Sequence, residues 1–335
     1  MKYPLFAPAK HGGANQTGFD GVDFSVNTNP FGANPVLLFV AQAANLEAYP
    51  DPNYSNLKAA LAGFHGCQPD SVILGVGASE ILQRIARVWL EPNQHVVSVL
   101  PPFGEFSRAV ALERCTLTVC QPENALLTLE QLKPRLVYIS NPNNPLGNCL
   151  EASLLLELAN WCEQHHAHLI LDQAYAPFAP QLLPIEYPSI IRVLSPGKAH
   201  GLVGLRLSYA LAAPNTALHL ENLAPAWILP SATAAALEAL PNAQDYLTKT
   251  IPKLLGLSQQ LSGQLAKICT VHFNGLPFFT LEVGDASQIT QALLQRGIRV
   301  RDCTSYGYPS RIRISTQLEP ANTKLLEALP EVLHG

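Results

Sequence analysis

The first residue in this chain whose surroundings suggest chemistry is a lysine in a glycine- and proline-rich turn. Lys198 sits in SPGKAHGLVGLRLSYAL (195–211), between the apolar runs IIRVL (190–194) and LRLSYALA (205–212). Ser195 precedes it by three residues and Arg206 follows by eight. A lysine on a rigid turn can form a Schiff base when its surroundings discourage the ammonium from keeping its proton. A hydroxyl and a guanidinium nearby suit a phosphate. Without further partners, such a lysine is an ordinary solvated surface residue.

Partners must come from elements that deliver side chains to the same place. SVILGVGASEILQRIARVWL (71–90) reads as a short strand, a glycine turn and a helix. Backbone N–H groups at such a helix start bind phosphate well. Gly75-x-Gly77 lacks the third glycine of a dinucleotide fingerprint and the GK[ST] of a P-loop, so neither NAD nor ATP is favoured. HVVSVL (95–100), LTVCQ (117–121), LVYIS (136–140), HLILDQAY (168–175) and PSIIRVLS (188–195) read as further strands. Helical stretches such as 101–113 and 152–167 separate several of them. This alternation predicts an α/β fold, a three-layer large domain with a mostly parallel sheet covered on both faces. In that architecture ligands gather at the C-terminal ends of the strands. Gly77, Asn144, Asp172 and Lys198 all fall there.

After LEAL (237–240) the pattern changes. A long helical segment leads to FFTLEV (278–283), a helix at 287–296, IRVRDC (298–303), RIRIS (311–315) and a final helix. This predicts a large domain over 40–240 and a smaller α+β domain, built from 1–39 and 241–335, that closes over a small ligand.

Composition narrows the class. The 335 residues are 48% hydrophobic and 14% charged, with net charge −4 and no run of Lys/Arg, which argues against nucleic acid. The most apolar segments are shorter than a membrane span. MKYPLFAPAKHGG has prolines where a signal peptide has its apolar core. Seven cysteines without a CxxC pair fit reduced thiols in the cytoplasm. His165, His166 and His168 lack a matched carboxylate or cysteine set, so no metal site is expected. High apolar content with low charge suits an oligomer that hides surface.

The motifs together resemble the fold-type-I pyridoxal-phosphate enzymes of aminotransferase class I and II, over nearly the whole chain. SPGKAHGLVGLR is similar to that family's S-x-x-K lysine with its downstream Gly-x-Arg, NPNNPLG to its NPxNPTG loop, and LDQAY to its DEAY strand end. The resemblance implies pyridoxal 5'-phosphate as cofactor. Lys198 would be the lysine condensed with its aldehyde and the base that later moves protons. Asp172 would face the pyridine nitrogen and keep it cationic, so that the ring draws electrons from the substrate. Asn144 and Tyr175 would bond the phenolic oxygen, and Phe103 would stack on the ring. Gly77, Ala78, Ser79, Ser195 and Arg206 would hold the phosphate. Tyr49, in AYPDPNY, resembles a tyrosine that reaches the phosphate from a neighbouring subunit, which implies a homodimer with shared sites. Arg311 corresponds to the arginine that grips the substrate carboxylate. Arg313, expected on the opposite face of the strand, is the secondary candidate.

Within the class, HGG followed by DFSVNTNPFG, PPFGEF and RDCTSYG resemble the cobalamin-pathway threonine-phosphate decarboxylases. Histidinol-phosphate aminotransferases share YPDP, NPNNP and the terminal R-x-x-x-x-T pattern and are the alternative. Either resemblance implies a small phosphorylated amino acid or amine as substrate, with His11 and Asn29 of the first segment as further substrate-binding candidates. Gly197, Gln173, Leu146 and Ser315 depart from the family pattern, which leaves the substrate less defined than the cofactor. A third possibility is a non-catalytic member that only binds a small molecule. Such a module has no need for Lys198, Asp172, Asn144 and Arg206 together.

Overall fold

The computed structural model describes residues 5, 6, 8, 12, 19–179 and 187–334. Its centre is a seven-stranded sheet, ordered 72–74, 209–211, 190–194, 168–172, 136–140, 95–99, 116–120. The five strands from Ile190–Leu194 to Thr116–Cys120 run parallel, while Tyr209–Leu211 runs antiparallel to both its neighbours. Side chains alternate across each strand. Leu136 and Tyr138 join one buried layer with Ile85 and Phe106, whereas Val137 and Ile139 join the opposite layer with Leu158 and Leu169. A strand apolar on both faces needs cover on both, and helices supply it.

The smaller sheet is antiparallel, ordered Arg301–Asp302, Arg311–Ser315, Phe278–Glu282, Val271–His272. Ile312 and Ile314 turn into a core with Phe24, Leu281 and Leu293. Arg311, Arg313 and Ser315 occupy the other face. Val22–Asp23 pairs in parallel with Ile298–Arg299, so an early segment packs beside the smaller sheet's part of the chain. The helix Gln244–Leu265 serves both cores: Ile251 and Leu254 pack with Tyr175 and Phe278, and Leu261 and Leu265 with Phe24 and Phe279.

One short segment packs elsewhere than its expected domain. The helix Pro35–Gln42 is capped by Asn34, whose side-chain oxygen accepts the Val36 N–H at 3.0 Å. Its Leu37 lies in the core with Leu57, Leu61 and Leu237 of the larger unit. Residues 35–39 therefore pack on the side of the larger unit rather than the smaller one.

Candidate active site

A cavity of about 260 Å³ opens where the parallel strands end. Lys198, Asp172, Asn144, Tyr175, Arg206 and Arg313 all line it. Strand 168–172 delivers Asp172 directly, and strand 136–140 runs into the Asn/Pro loop. That loop is tied by its own amides. Asn141 Oδ1 accepts the Leu150 N–H at 2.9 Å, and Asn143 Nδ2 donates to the Pro101 carbonyl at 3.0 Å. Asn144 is thereby left to face the cavity.

The lysine turn is fastened from behind. The Lys198 carbonyl accepts the Asn29 N–H at 2.9 Å and the Thr28 hydroxyl at 3.2 Å. Asn29 Nδ2 donates to the Ala199 carbonyl, and the Asn34 N–H to the His200 carbonyl at 2.8 Å. The Lys198 ammonium lies 5.2 Å from the centre of the Tyr175 ring. Burial lowers the proton affinity of Lys198; Asp172 opposes that shift, while the positive charges of Arg206 and Arg313 add to it. A lysine so placed gives up its proton more readily than one in water, as a nucleophilic amine requires.

Asp172 is buried, and burial raises its pKa against the opposing pull of a hydrogen bond and of Lys198. The hydrogen bond comes from the Tyr138 hydroxyl, which donates to Oδ2 at 2.7 Å, while the Ala174 N–H donates to Oδ1 at 3.0 Å. Burial pushes the Tyr175 phenol up to about 12, with Arg313 pulling the other way, so at neutral pH it is a donor.

At the other end of the cavity Gly77 begins the helix Ala78–Trp89 with φ +79°. The Arg206 guanidinium lies against its Cα: an added Cβ would stand 2.3 Å from Arg206 Nη2. Only glycine permits both the backbone angle and this approach. Ala78, Ser79 and Ser195 line the same end. A helix start, a guanidinium and hydroxyls together make an anion site. Lys198, Arg206, Arg301 and Arg313 face Asp172 as the one carboxylate among the described lining residues, so the cavity selects anionic ligands. Amine, carboxylate and anion cradle, the groups that pyridoxal 5'-phosphate needs, line one cavity, and Phe103 also lines its wall.

Several expected residues stand elsewhere. Arg311 and Arg313 are two apart on one strand and so share a face, contrary to expectation; what separates them is distance along the strand. Arg311, at the outer end, donates through Nε to Glu282 Oε2 at 2.7 Å and lies outside the cavity. Arg313 is buried within it, donating to Asn144 Oδ1 and the Ser25 carbonyl. The order of preference between the two arginines is therefore reversed. Asn29 holds the lysine turn with its amide and does not line the cavity; Asn27, two residues earlier, does, beside Tyr175. Tyr49 lies outside this chain's own cavity, with its side chain 80% exposed and its ring 4.6 Å from that of Trp227. His11 falls outside the described residues.

The departures have local reasons. A Cβ on Gly197 would stand 3.0 Å from the Leu202 carbonyl oxygen. Gln173 Oε1 accepts from Arg192 Nε at 2.9 Å. Ser315 is buried opposite Phe278, outside the cavity lining.

Sequence reasoning passed over Arg301, Tyr306 and Tyr138. Arg301 pairs across the ladder with Arg313 and lines the cavity with Tyr306, whose hydroxyl accepts from Asn144 Nδ2 at 3.4 Å. The available signal was the arginine alternating with apolar residues in IRVR, which becomes informative once that strand is paired with RIRIS.

Comparison with known proteins gives the family. Histidinol-phosphate aminotransferase 2 of Pseudomonas fluorescens is 32% identical over 335 residues, covering 93% of this chain and 89% of that protein. Histidinol-phosphate aminotransferase 1 of Archaeoglobus fulgidus is 28% identical, covering 93% and 99%. The histidinol-phosphate aminotransferase of Sinorhizobium meliloti, solved with pyridoxal 5'-phosphate, superposes with TM-score 0.84 at 28% identity, covering 92% of this chain and 89% of its own. L-threonine-O-3-phosphate decarboxylase from Porphyromonas gingivalis superposes equally well, TM-score 0.84, at 21% identity and with 93% and 99% coverage, a likeness of fold alone. Residues 20–329 match the family described as aminotransferase class I and II, and the chain belongs to that family.

Proposed function

We propose that this protein is a pyridoxal-phosphate-dependent aminotransferase acting on a small phosphorylated amine of the histidinol-phosphate kind. The observation that carries the reading is the meeting of a buried lysine, a buried carboxylate and several cations in one cavity. The choice of transamination rests on the curated relatives, which are histidinol-phosphate aminotransferases across 93% of the chain. Decarboxylation of threonine phosphate, the first expectation from sequence motifs, has support only from a likeness of fold. Its cobalamin connection has no support beyond those motifs.

Bound in this cavity, pyridoxal 5'-phosphate supplies an aldehyde that takes amines and a cationic ring that accepts electrons from the substrate carbon. The chain's own groups do the rest. Arg206, Ser195 and the start of the helix Ala78–Trp89 hold the phosphate. Asp172 would face the ring nitrogen and keep its proton in place. Lys198 Nζ takes the proton from the substrate Cα and returns one, which its lowered proton affinity permits. Arg313 and Arg301 grip the anionic end of the substrate, and Asn144 braces Arg313. That grip would fix the orientation of the substrate Cα over the cavity, and so which of its bonds is presented for cleavage.

Tyr49 acts in a partner's site, as the resemblance implies, and the assembly is a homodimer. Its exposure on this chain supports that arrangement. Seven cysteines with no CxxC pair among them support a reducing, cytoplasmic setting.

The purified enzyme is expected to form glutamate from histidinol phosphate plus 2-oxoglutarate and to release no carbon dioxide from threonine phosphate. Carbon dioxide without glutamate would overturn the choice in favour of the decarboxylase. Neither product would leave the family intact and the substrate class wrong. Sedimentation at micromolar concentration tests the dimer: a monomer would remove the role of Tyr49.

A further inference from the structure

The geometry points to Tyr138 as a positioning residue that works through Asp172. Tyr138 sits in the middle of strand 136–140, fully buried, with its ring stacked on Phe106 at 4.4 Å. Strands 136–140 and 168–172 pair in parallel, Tyr138 beside Ile170 and Ser140 beside Asp172. From that register the long phenol reaches along the sheet to the end of the next strand and places its hydroxyl 2.7 Å from Asp172 Oδ2. Both partners are buried, so no water competes for the bond.

A carboxylate has about four lone-pair sites. Tyr138 takes one on Oδ2 and the Ala174 N–H takes one on Oδ1, which fixes the carboxylate plane. The remaining sites can serve a donor in the cavity that Asp172 lines. The phenol has a second effect. Burial alone favours the neutral acid, and a neutral acid cannot hold a ring nitrogen cationic. A hydrogen bond donated to the carboxylate favours the charged form, and for charged partners such bonds are roughly twice as strong as neutral ones. Tyr138 therefore aims the carboxylate and keeps it ionised, without touching the ligand. A phenylalanine in its place would keep the ring stack and lose only the hydroxyl.

This inference rests on the pyridoxal-phosphate reading, and the test separates the two. The full-length holoenzyme of wild type, Y138F, D172N and Y138F/D172N is dialysed to equilibrium with pyridoxal 5'-phosphate between pH 4.5 and 8. Y138F is expected to bind the cofactor about tenfold more weakly at pH 7, the scale of a lost hydrogen bond to a charged group. Its acid-driven loss of cofactor should shift to a pH about one unit higher, since a tenfold change is about one pKa unit. In the D172N background the same substitution should cost nothing more, because its effect passes through the carboxylate.

Equal affinity and equal pH midpoint in Y138F and wild type, with D172N impaired, would overturn the role of Tyr138 and leave the cofactor reading standing. A further tenfold loss in the double variant would overturn it too, by showing that Tyr138 acts independently of Asp172. A wild-type chain that retains no cofactor would remove both readings together.

Discussion

The two sheets contribute to the cavity in different ways. The large parallel sheet presents residues from loops just past its strand ends, as at Lys198, Asn144 and Gly77, or from the last residue of a strand, as at Asp172. The small antiparallel sheet contributes Arg313 from the middle of a strand and Arg301 from the two-residue strand beside it, placed by the cross-strand register that sets them side by side. A strand-end residue needs only the strand before it to exist. A mid-strand residue needs the right partner strand in the right register, because a one-residue slip turns it to the other face. The first kind of site is local in sequence, and the second depends on pairing.

Substitutions can break this contrast at several depths. The largest effect is expected at the large sheet's centre: K198A should lower the rate of glutamate formation by at least about 10³-fold, since it removes both nucleophile and base. On the small sheet the register itself can be tested with two arginines. R313K, which keeps the charge but loses the planar fork to Asn144 and Ser25, should lower kcat/KM by about 10- to 100-fold. R311A, which breaks a half-buried pair with Glu282 and a contact with the Tyr308 ring, both outside the cavity, should change kcat/KM by less than about twofold and stability by about 1 kcal/mol. Equal losses in the two variants would show that position along strand 311–315 does not decide which arginine serves the cavity. G77A should weaken cofactor binding by about tenfold, because a Cβ cannot share space with the Arg206 guanidinium and the φ of +79° strains any side chain.

A separate effect, on stability alone, is a slope with pH. Burial lowers His65, His168 and His200, all in the larger unit, to a pKa of about 4. The unfolded chain takes up those protons near pH 6.5, and the folded chain does not until about 4. Between these values the unfolded state binds more protons, so stability falls as pH falls across this window. Urea midpoints at pH 7 and pH 4.5 measure it. A midpoint unchanged by acid would show that the three rings are not held neutral.

The same contrast explains what could be read from the chain. Continuous apolar runs such as HLILD and IIRVL bury both faces, and their ends announced Asp172 and Lys198 before any tertiary contact was known. Asn144 and Gly77 were legible for the same reason. The choice between Arg311 and Arg313 was not, because it depends on how far along the ladder the cavity lies, a distance set by packing. Asn29 was misplaced since an asparagine in a turn-rich segment gives no sign of which backbone it will bond 170 residues away. Tyr138 looked like core, and by burial it is core; only its reach to the neighbouring strand gives it a polar task.

The bonds that fasten the lysine turn also constrain the order of assembly. Residues 28–34 hold the backbone of 198–200, and Arg313 holds the Ser25 carbonyl across 288 residues. Contacts of such separation close late, after shorter loops have formed. A nascent chain leaving the ribosome therefore carries its first segment unmatched until the lysine turn has emerged, and lacks its anchoring arginine until almost the last strand is made. A chain that ends between residues 212 and 310 would carry Lys198, Asp172 and Asn144 but lack Arg313, and so could not complete the cavity.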